Sequence, residues 1–458
     1  MEKYLWGGVF SETEKSENIK RFIDSFHFDW IICSENFDIT LTHAVALNKL
    51  GILEKDAIVK IFESKQKVIK SIQEAQKDEF EDVHSAIEFF ISKFVGEDVG
   101  FNLRLGRSRN EEVISSTNLW ILRKFLNLKD MFKKISDSVI SSAEKNFGKV
   151  VPLFTHTRQA QPILFSHLVL SYHEGFIRCL ERISDCLERF DVCHLGSGAG
   201  AGTGVPLDVE FMAQMLGFSK ISQNSIDSTG RRDNITELIF NFAILSELFS
   251  KIADDLILLS SENFGFVELS DKLCTGSSMM PQKKNPDTLE VTRSKFPKLT
   301  GYLNSMLMLE KGLISGYSKD LQEDKRILFS ALHEIFEVCE IIPEVFLNMK
   351  ATEGNIHNYT LATDLAEKIV QDKKITYREA HKLVGEKLKK GEKIKDITIE
   401  ESLRLKRTPQ STNPNLVKNQ IENHKKRSDQ ILGEIERFLK RFEEADFRKR
   451  IEDYLRNI

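Results

Sequence analysis

The stretch Phe165-Ser-His-Leu-Val-Leu-Ser-Tyr-His-Glu-Gly-Phe-Ile-Arg-Cys-Leu-Glu-Arg-Ile-Ser-Asp-Cys-Leu-Glu-Arg-Phe-Asp-Val-Cys193 places apolar side chains at Phe165, Val169, Tyr172, Phe176, Cys179, Ile183, Cys186, Phe190 and Cys193. Steps of four and three alternate along it. That spacing is one stripe of a long α-helix, and it predicts a helix through the whole segment. Three of these positions are cysteines seven residues apart. Thiolate ligands must converge on one point, which positions strung along a helix do not, so these cysteines read as small core hydrophobes. A second stripe runs Leu238, Phe242, Leu245, Phe249, Ile252, Leu256 and Leu259, and a third candidate helix follows Pro286 through Leu289, Phe296, Leu299, Leu303 and Met306. Long helices with heptad-like seams bundle. Pro297 falls inside the third and predicts a kink there, because it lacks a backbone donor and crowds the preceding turn.

Outward from this bundle, the first hundred residues read as shorter helices such as Thr40–Lys49 and Lys55–Ile72, broken at Gly51, Gly96 and Gly100. Beyond about residue 355 the charge density rises. The turn-rich Thr408-Pro-Gln-Ser-Thr-Asn-Pro-Asn415 then precedes a charged helix carrying Ile431, Ile435, Phe438 and Phe442. Alternating β patterns are scarce, so an all-α chain is expected. With 458 residues, 41% hydrophobic and 29% charged, this is the composition of a globular protein of several domains. A net charge of −4 supplies no basic field for nucleic acid or an anionic membrane, and no apolar run approaches the roughly 18 residues of a membrane span. The N-terminus, Met1-Glu-Lys-Tyr-Leu-Trp6, lacks a signal-peptide layout, so a cytoplasmic protein is expected. Six cysteines without a CxxC pair argue against a disulfide framework or a structural zinc.

Four segments contain residues that chemistry needs and packing does not. Cys193-His-Leu-Gly-Ser-Gly-Ala-Gly-Ala-Gly-Thr-Gly-Val-Pro206 is glycine-dense but lacks the pattern of a phosphate loop, and it reads as a connection passing close to neighbouring helices. In Gly106-Arg-Ser-Arg-Asn110, two guanidinium groups, a hydroxyl and an amide suit a dicarboxylate, and a polar helix start explains them equally well. Thr155-His156 gains meaning only with a partner. Gly276-Ser-Ser-Met-Met-Pro-Gln-Lys-Lys-Asn-Pro-Asp287, with Glu290 following, says most. Abstracting a proton alpha to a carboxylate creates an aci-carboxylate dianion, which needs cationic and amide donors fixed where the charge develops. Lys and Asn supply such donors, and a serine acts as base only in such a field.

That loop resembles the fumarase/aspartase superfamily signature G-S-x-x-M-x-x-K-x-N at Gly276, Ser277, Met280, Lys283 and Asn285. Flanking text is similar to the argininosuccinate lyase family, whose relatives include the delta-crystallins. This text comprises Leu5-Trp-Gly-Gly8, Glu81-Asp-Val-His84, Gly106–Asn110, Asn224-Ser-Ile-Asp227 and Glu262-Asn-Phe-Gly-Phe-Val-Glu-Leu-Ser-Asp271. It continues with Gly316-Tyr-Ser-Lys-Asp-Leu-Gln-Glu-Asp-Lys325, Leu361-Ala-Thr-Asp-Leu365 and Arg378-Glu-Ala-His381. The resemblance implies a mainly helical subunit of three domains, at 1–105, 106–354 and 355–458. The central helices would join those of three other subunits in a homotetramer, with each active site shared among three chains.

It also implies reversible β-elimination of argininosuccinate to arginine and fumarate, in arginine biosynthesis, with no metal or organic cofactor. By motif, Ser277 would take the Cβ proton, while Lys283 and Asn285 would stabilise the aci-carboxylate and hold the fumarate half. His156, paired with Glu290 of another subunit, would help protonate the leaving nitrogen. Thr155, Ser108, Arg109 and Asn110 would bind carboxylates, Tyr317, Gln322 and Lys325 would line the arginine half, and Thr42 and His84 complete the binding set. The segment Asp271–Pro281 would close over the substrate.

Departures from the family pattern cluster in the N-terminal half of this set. Val9 stands for an Arg, Arg104-Leu105 for His-Thr, Gly230-Arg231-Arg232-Asp233 for Ser-Asp-Arg-Asp, and Glu111-Glu112 for Asp-Gln. Arg104, Leu105 and Arg231 therefore motivate a second expectation, a lyase releasing fumarate from another substituted succinate. A third is a catalytically silent structural relative, against which the retained catalytic set argues.

Overall fold

The computed structural model describes residues 16–77 and 79–458. The quoted Leu5-Trp-Gly-Gly8 and Val9 lie outside the described residues. The main helices are α1 (Cys33–Lys49), α2 (Lys55–Glu74), α3 (Val83–Val95), α4 (Arg109–Lys145), α5 (Phe165–Leu187) and α6 (Asp233–Ser260). They continue with α7 (Asp287–Arg293), α8 (Lys295–Glu310), α9 (Asp324–Leu347), α10 (Ala362–Lys373), α11 (Tyr377–Lys389) and α12 (Pro414–Lys440). Among the described residues, none is long and apolar enough to cross a membrane.

The expected stripes are buried: Phe165 to Cys186 along α5 and Leu238 to Leu259 along α6. α5 stops at Leu187, earlier than its stripe predicts. Phe190 sits in a 3-10 turn and Cys193 in a short strand, where both still face the core. The third candidate helix is two, α7 and α8, joined at Ser294. Pro297 lies in the first turn of α8, where its missing N–H is one that no intrahelical acceptor would have used. The expected kink is therefore a break three residues upstream. Gly96, with φ of 131°, ends α3, but Gly100 is no breaker. It lies inside a short helix against Ser92, whose side chain occupies the space a Cβ would need.

Among the described residues, the strands are short and form four two-stranded pairs. None was read from the sequence; the longest is the hairpin of β1 (Val150–Thr155) and β2 (Arg158–Leu164), in which Pro152 faces Pro162. The others are β3 (Val192–Cys193) with β4 (Lys220–Ile221), β5 (Val267–Leu269) with β8 (Met349–Ala351), and β6 (Thr275–Gly276) with β7 (Lys284–Asn285).

α4 is the axis of the molecule, packed by α5, α9 and α12, while α6 packs on α5, α7, α8 and α9. Its 37 residues make a rod of roughly 55 Å. A near end and a far end follow. At the near end, Arg232 before α6 pairs with Asp324 at the start of α9, 2.6 Å away, and Asn234 donates to Asn118 of α4. At the far end, the Ala351 amide donates to Asn146 just past α4, and the Phe165 amide donates to Lys149.

Residues 361–405 gather a small core of their own around Leu365, Ala380 and Val384. α12 instead joins the main core through Val417, Ile421, Leu432, Ile435 and Leu439. The segment expected as one C-terminal unit thus divides between two packing neighbourhoods.

Candidate active site

Local sequence builds the near-end site. Ser108 caps α4 in a reciprocal box with Glu111, and Asp82 caps α3 in another with Ser85. The two arginines of the Gly106–Asn110 cluster then diverge. Arg107 is buried against Glu88, Glu112 and the Thr40 hydroxyl. Arg109 turns to a cavity of about 190 Å³ lined by Ser25, Asp29, Asp82, His84, Asn110, Val113, Tyr317, Lys319, Gln322 and Lys325. Its Nη1 lies 3.0 Å from both Glu81 and Asp82, while Nε and Nη2 are buried without a hydrogen-bond partner. Half of the guanidinium fork is thus held for something else, and a carboxylate fits it.

The cavity is electrostatically graded. Burial raises the Asp29 carboxyl, with Asp82 adding to the rise; burial also opposes the Asp82 charge, but Arg109 and then His84 hold that carboxyl below its usual range. Of this acidic pair, the proton belongs on Asp29. The Ser25 hydroxyl donates to Asp29 at 2.6 Å. Lys325 is buried 3.1 Å from Asp324, and burial, then Asp324, pushes the Tyr317 hydroxyl up to about 12, so it is a fixed neutral donor. Gln322 donates to the Ile23 carbonyl, and Asn110 to the Ala199 carbonyl in the glycine-dense connection. That connection behaves as expected: Gly198 donates its amide to Glu111 and closes on Gly202, where any Cβ would strike backbone.

The far end carries the other set. β6 and β7 clamp the segment 277–283 by pairing Thr275 with Asn285 and Gly276 with Lys284. Ser277 is near the surface, its Oγ accepting the Met280 amide at 3.0 Å and the Met279 amide at 3.3 Å. Two main-chain donors aimed at one oxygen favour an alkoxide there. The paired lysines divide their work. Lys284 bridges to Asp271 at 2.6 Å and anchors the segment's base, while Lys283 is exposed with no ion pair among the described residues. Glu290 is exposed on α7, 3.9 Å from Arg293.

Thr155 and His156 sit at the tip of the β1–β2 hairpin, where His156 and Thr157 both have positive φ, 53° and 59°. Two such residues make the tight turn that suits a hairpin, and a β-branched Thr157 there is strained. Phe154 fixes the tip's base against Phe264 and Phe266.

Of the residues expected in the site, Arg109, Asn110, His84, Tyr317, Gln322 and Lys325 meet at the near-end cavity. Ser108 stands beside it as a helix cap. Thr42 does not line it; its hydroxyl is buried in α1 without a hydrogen-bond partner. Ser277, Lys283, Asn285, Glu290, Thr155 and His156 lie at the opposite end of the bundle. Arg104 binds Glu88 at 2.8 Å rather than facing the cavity, Leu105 is exposed, and Arg231 is exposed near Asp233 in a separate cleft beside Glu310. Sequence reading missed Ser25, Asp29 and Asp82 as lining groups. Asp82 was visible as the helix-start signal D-x-x-S, but no local pattern marks Ser25 or Asp29.

The fold matches a crystal structure of EDDS lyase in complex with formate, with a TM-score of 0.81 at 21% identity over 97% of this chain and 96% of that one. It also matches a class II fumarase from Schistosoma mansoni, with a TM-score of 0.67 at 16% identity over 82% and 86%. Bundle and serine segment together define a lyase of the fumarase/aspartase superfamily. A lyase family model matches residues 11–301, and a model described as the argininosuccinate lyase C-terminal domain matches residues 359–411. Argininosuccinate lyases from a Sulfurihydrogenibium species and from Geobacter metallireducens are each 38% identical to it, over 87% of this chain and 89% of theirs. The chain belongs to the argininosuccinate lyase family.

Proposed function

We propose that this lyase cleaves argininosuccinate to arginine and fumarate, reversibly, as a step of arginine biosynthesis. The observation that carries the chemistry is Ser277, whose Oγ sits under two main-chain N–H groups in the same clamped segment as Lys283, which has no ion pair among the described residues. Ser277 Oγ removes a proton from Cβ of the succinyl moiety. Lys283 and Asn285 take the charge that moves onto the adjacent carboxylate, and the Cα–N bond then breaks, its electron pair leaving with the guanidino nitrogen. His156, set by Glu290, delivers the proton that nitrogen needs. At the other half of the site, Arg109 holds a substrate carboxylate with its free edge, and Tyr317, Gln322 and Lys325 orient the arginine portion.

Because the two sets lie at opposite ends of a rod of roughly 55 Å, one chain does not assemble a site alone. The reading therefore includes a homotetramer whose sites combine the near end of one subunit with far ends of others. We read it as a cytoplasmic enzyme with a small-molecule substrate and no nucleic-acid or membrane partner, supported by the near-balanced charge. Arg104, Leu105 and Arg231, which motivated another amine, do not line the cavity and lend that alternative no support.

Incubation with argininosuccinate should release fumarate, followed by its ultraviolet absorbance, and arginine in equal amounts. A folded oligomer that released neither would overturn the assignment.

A further inference from the structure

His84 lines the cavity with one ring nitrogen tied to the core and the other unspent. Its Nδ1 lies 2.6 Å from Asn36 Nδ2 and 3.4 Å from Glu112 Oε1, while Nε2 is buried without a hydrogen-bond partner. The Asn36 amide is oriented beyond doubt by its other neighbours. Nδ2 lies 3.0 Å from the Glu112 carboxylate, which can only accept, and 2.9 Å from Ser116 Oγ, whose own hydrogen is committed to the Glu112 carbonyl. Turning the amide over would set its oxygen against that carboxylate.

The imidazole therefore has two arrangements. Neutral, Nδ1 accepts one of the two Asn36 amide hydrogens and leaves the other to Glu112 and Ser116; charged, Nδ1–H turns to Glu112 and the Asn36 amide, 2.6 Å away, has to draw back. Nε2 carries a hydrogen in both.

We propose that Glu112 and Asn36 are positioning residues that hold His84 Nε2–H as a permanent donor into the cavity, so the substrate group bound there is a carboxylate oxygen of the substituted succinate. This rests on the cavity being the substrate site. The family pattern carries Gln where this chain has Glu112, so the charged form of the arrangement is a feature of this chain. The charged groups around the ring are Glu112 and Arg109 from α4, Arg107 just before it, Asp82 at the head of α3, Asp29 from the turn Phe26–Asp29, and Lys325 from α9. Burial opposes the imidazolium, but Glu112, Asp82 and Asp29 outweigh it and raise His84 above its ordinary 6.5.

The test is nitrogen NMR of the intact, histidine-labelled protein, without substrate, across pH 5.5 to 9. Nε2 should be protonated throughout, with a titration midpoint above that of free histidine. Glu112→Gln, which keeps shape and removes charge, should lower the midpoint by at least about one pH unit. It should also raise KM for argininosuccinate about fivefold to tenfold at pH 6, with a smaller effect on kcat, as a charge-assisted bond becomes a neutral one. A neutral tautomer with Nε2 bare, or a midpoint unmoved by the substitution, overturns the proposal. Should the variant not fold, the wild-type tautomer alone decides. The spectra need no substrate, so an error in the substrate assignment would remove the KM change and leave them intact.

Discussion

Ser277 and Arg109 show what single side chains contribute at the two ends. Among the described residues, Ser277 bonds only to two amides of its own turn, so removing its hydroxyl takes nothing from the core. Ser277→Ala should lower kcat by roughly a thousandfold or more while the melting temperature and assembly stay as in the parent. An alanine variant turning over at the parental rate would mean that another group is the base. Arg109 spends one nitrogen on Glu81 and Asp82 and keeps its other edge free. Lysine reproduces the ion pair but has no fork, so Arg109→Lys should cost on the order of 100-fold in kcat/KM with little change in stability. A loss under threefold would show that the free edge does not hold substrate.

At the scale of elements, docking of α12 on α5 passes through a pair of histidines, His173 buried and His424 partly buried. His173 Nδ1 lies 3.2 Å from His424 Nδ1, and His173 Nε2 lies 2.9 Å from the Ser136 hydroxyl. Burial, with His424 adding to it, lowers His173 to about 3. The unfolded chain takes up this proton near pH 6.5 and the folded one does not, so stability must fall as pH drops from 6.5 toward 3. His173 alone contributes about 1.4 kcal/mol per pH unit over that window. His173→Gln should flatten the acid limb of unfolding free energy, measured by urea denaturation at several pH values, by about that slope. An unchanged limb would rule His173 out as its source.

The same scale shows what the sequence made legible. α5 and α6 were readable because a core-facing stripe leaves a repeat of three and four in the residues themselves. The β1–β2 hairpin was not, because Pro152 and Pro162 interrupt its alternation and its turn uses His156 and Thr157 where glycine or asparagine would have signalled it. The break of the third helix at Ser294 was signalled by Pro297, which cannot donate to the Arg293 carbonyl four residues back and crowds that turn. The reacting residues were found through the motif around Ser277. Their separation into two ends required the direction of α4.

For the whole molecule, that separation has a genetic signature. Subunits carrying Ser277→Ala have sound near ends, and subunits carrying Arg109→Met have sound far ends. When the two are denatured together and refolded as hybrids, up to about a quarter of the sites should combine sound halves, restoring about a quarter of wild-type activity from two inactive parents. Hybrids as inactive as either parent would contradict sites shared between chains.

α4 also sets an angular phase. A helix advances each residue by about 100°, so one amino acid inserted near its middle would turn everything beyond it by that angle and lengthen the rod by about 1.5 Å. Such an insertion alters no reacting group, yet in the proposed shared-site assembly it would leave one end of the subunit facing its neighbours while the other faced away. In this molecule the register of a helix is as much a part of the chemistry as any functional group it carries.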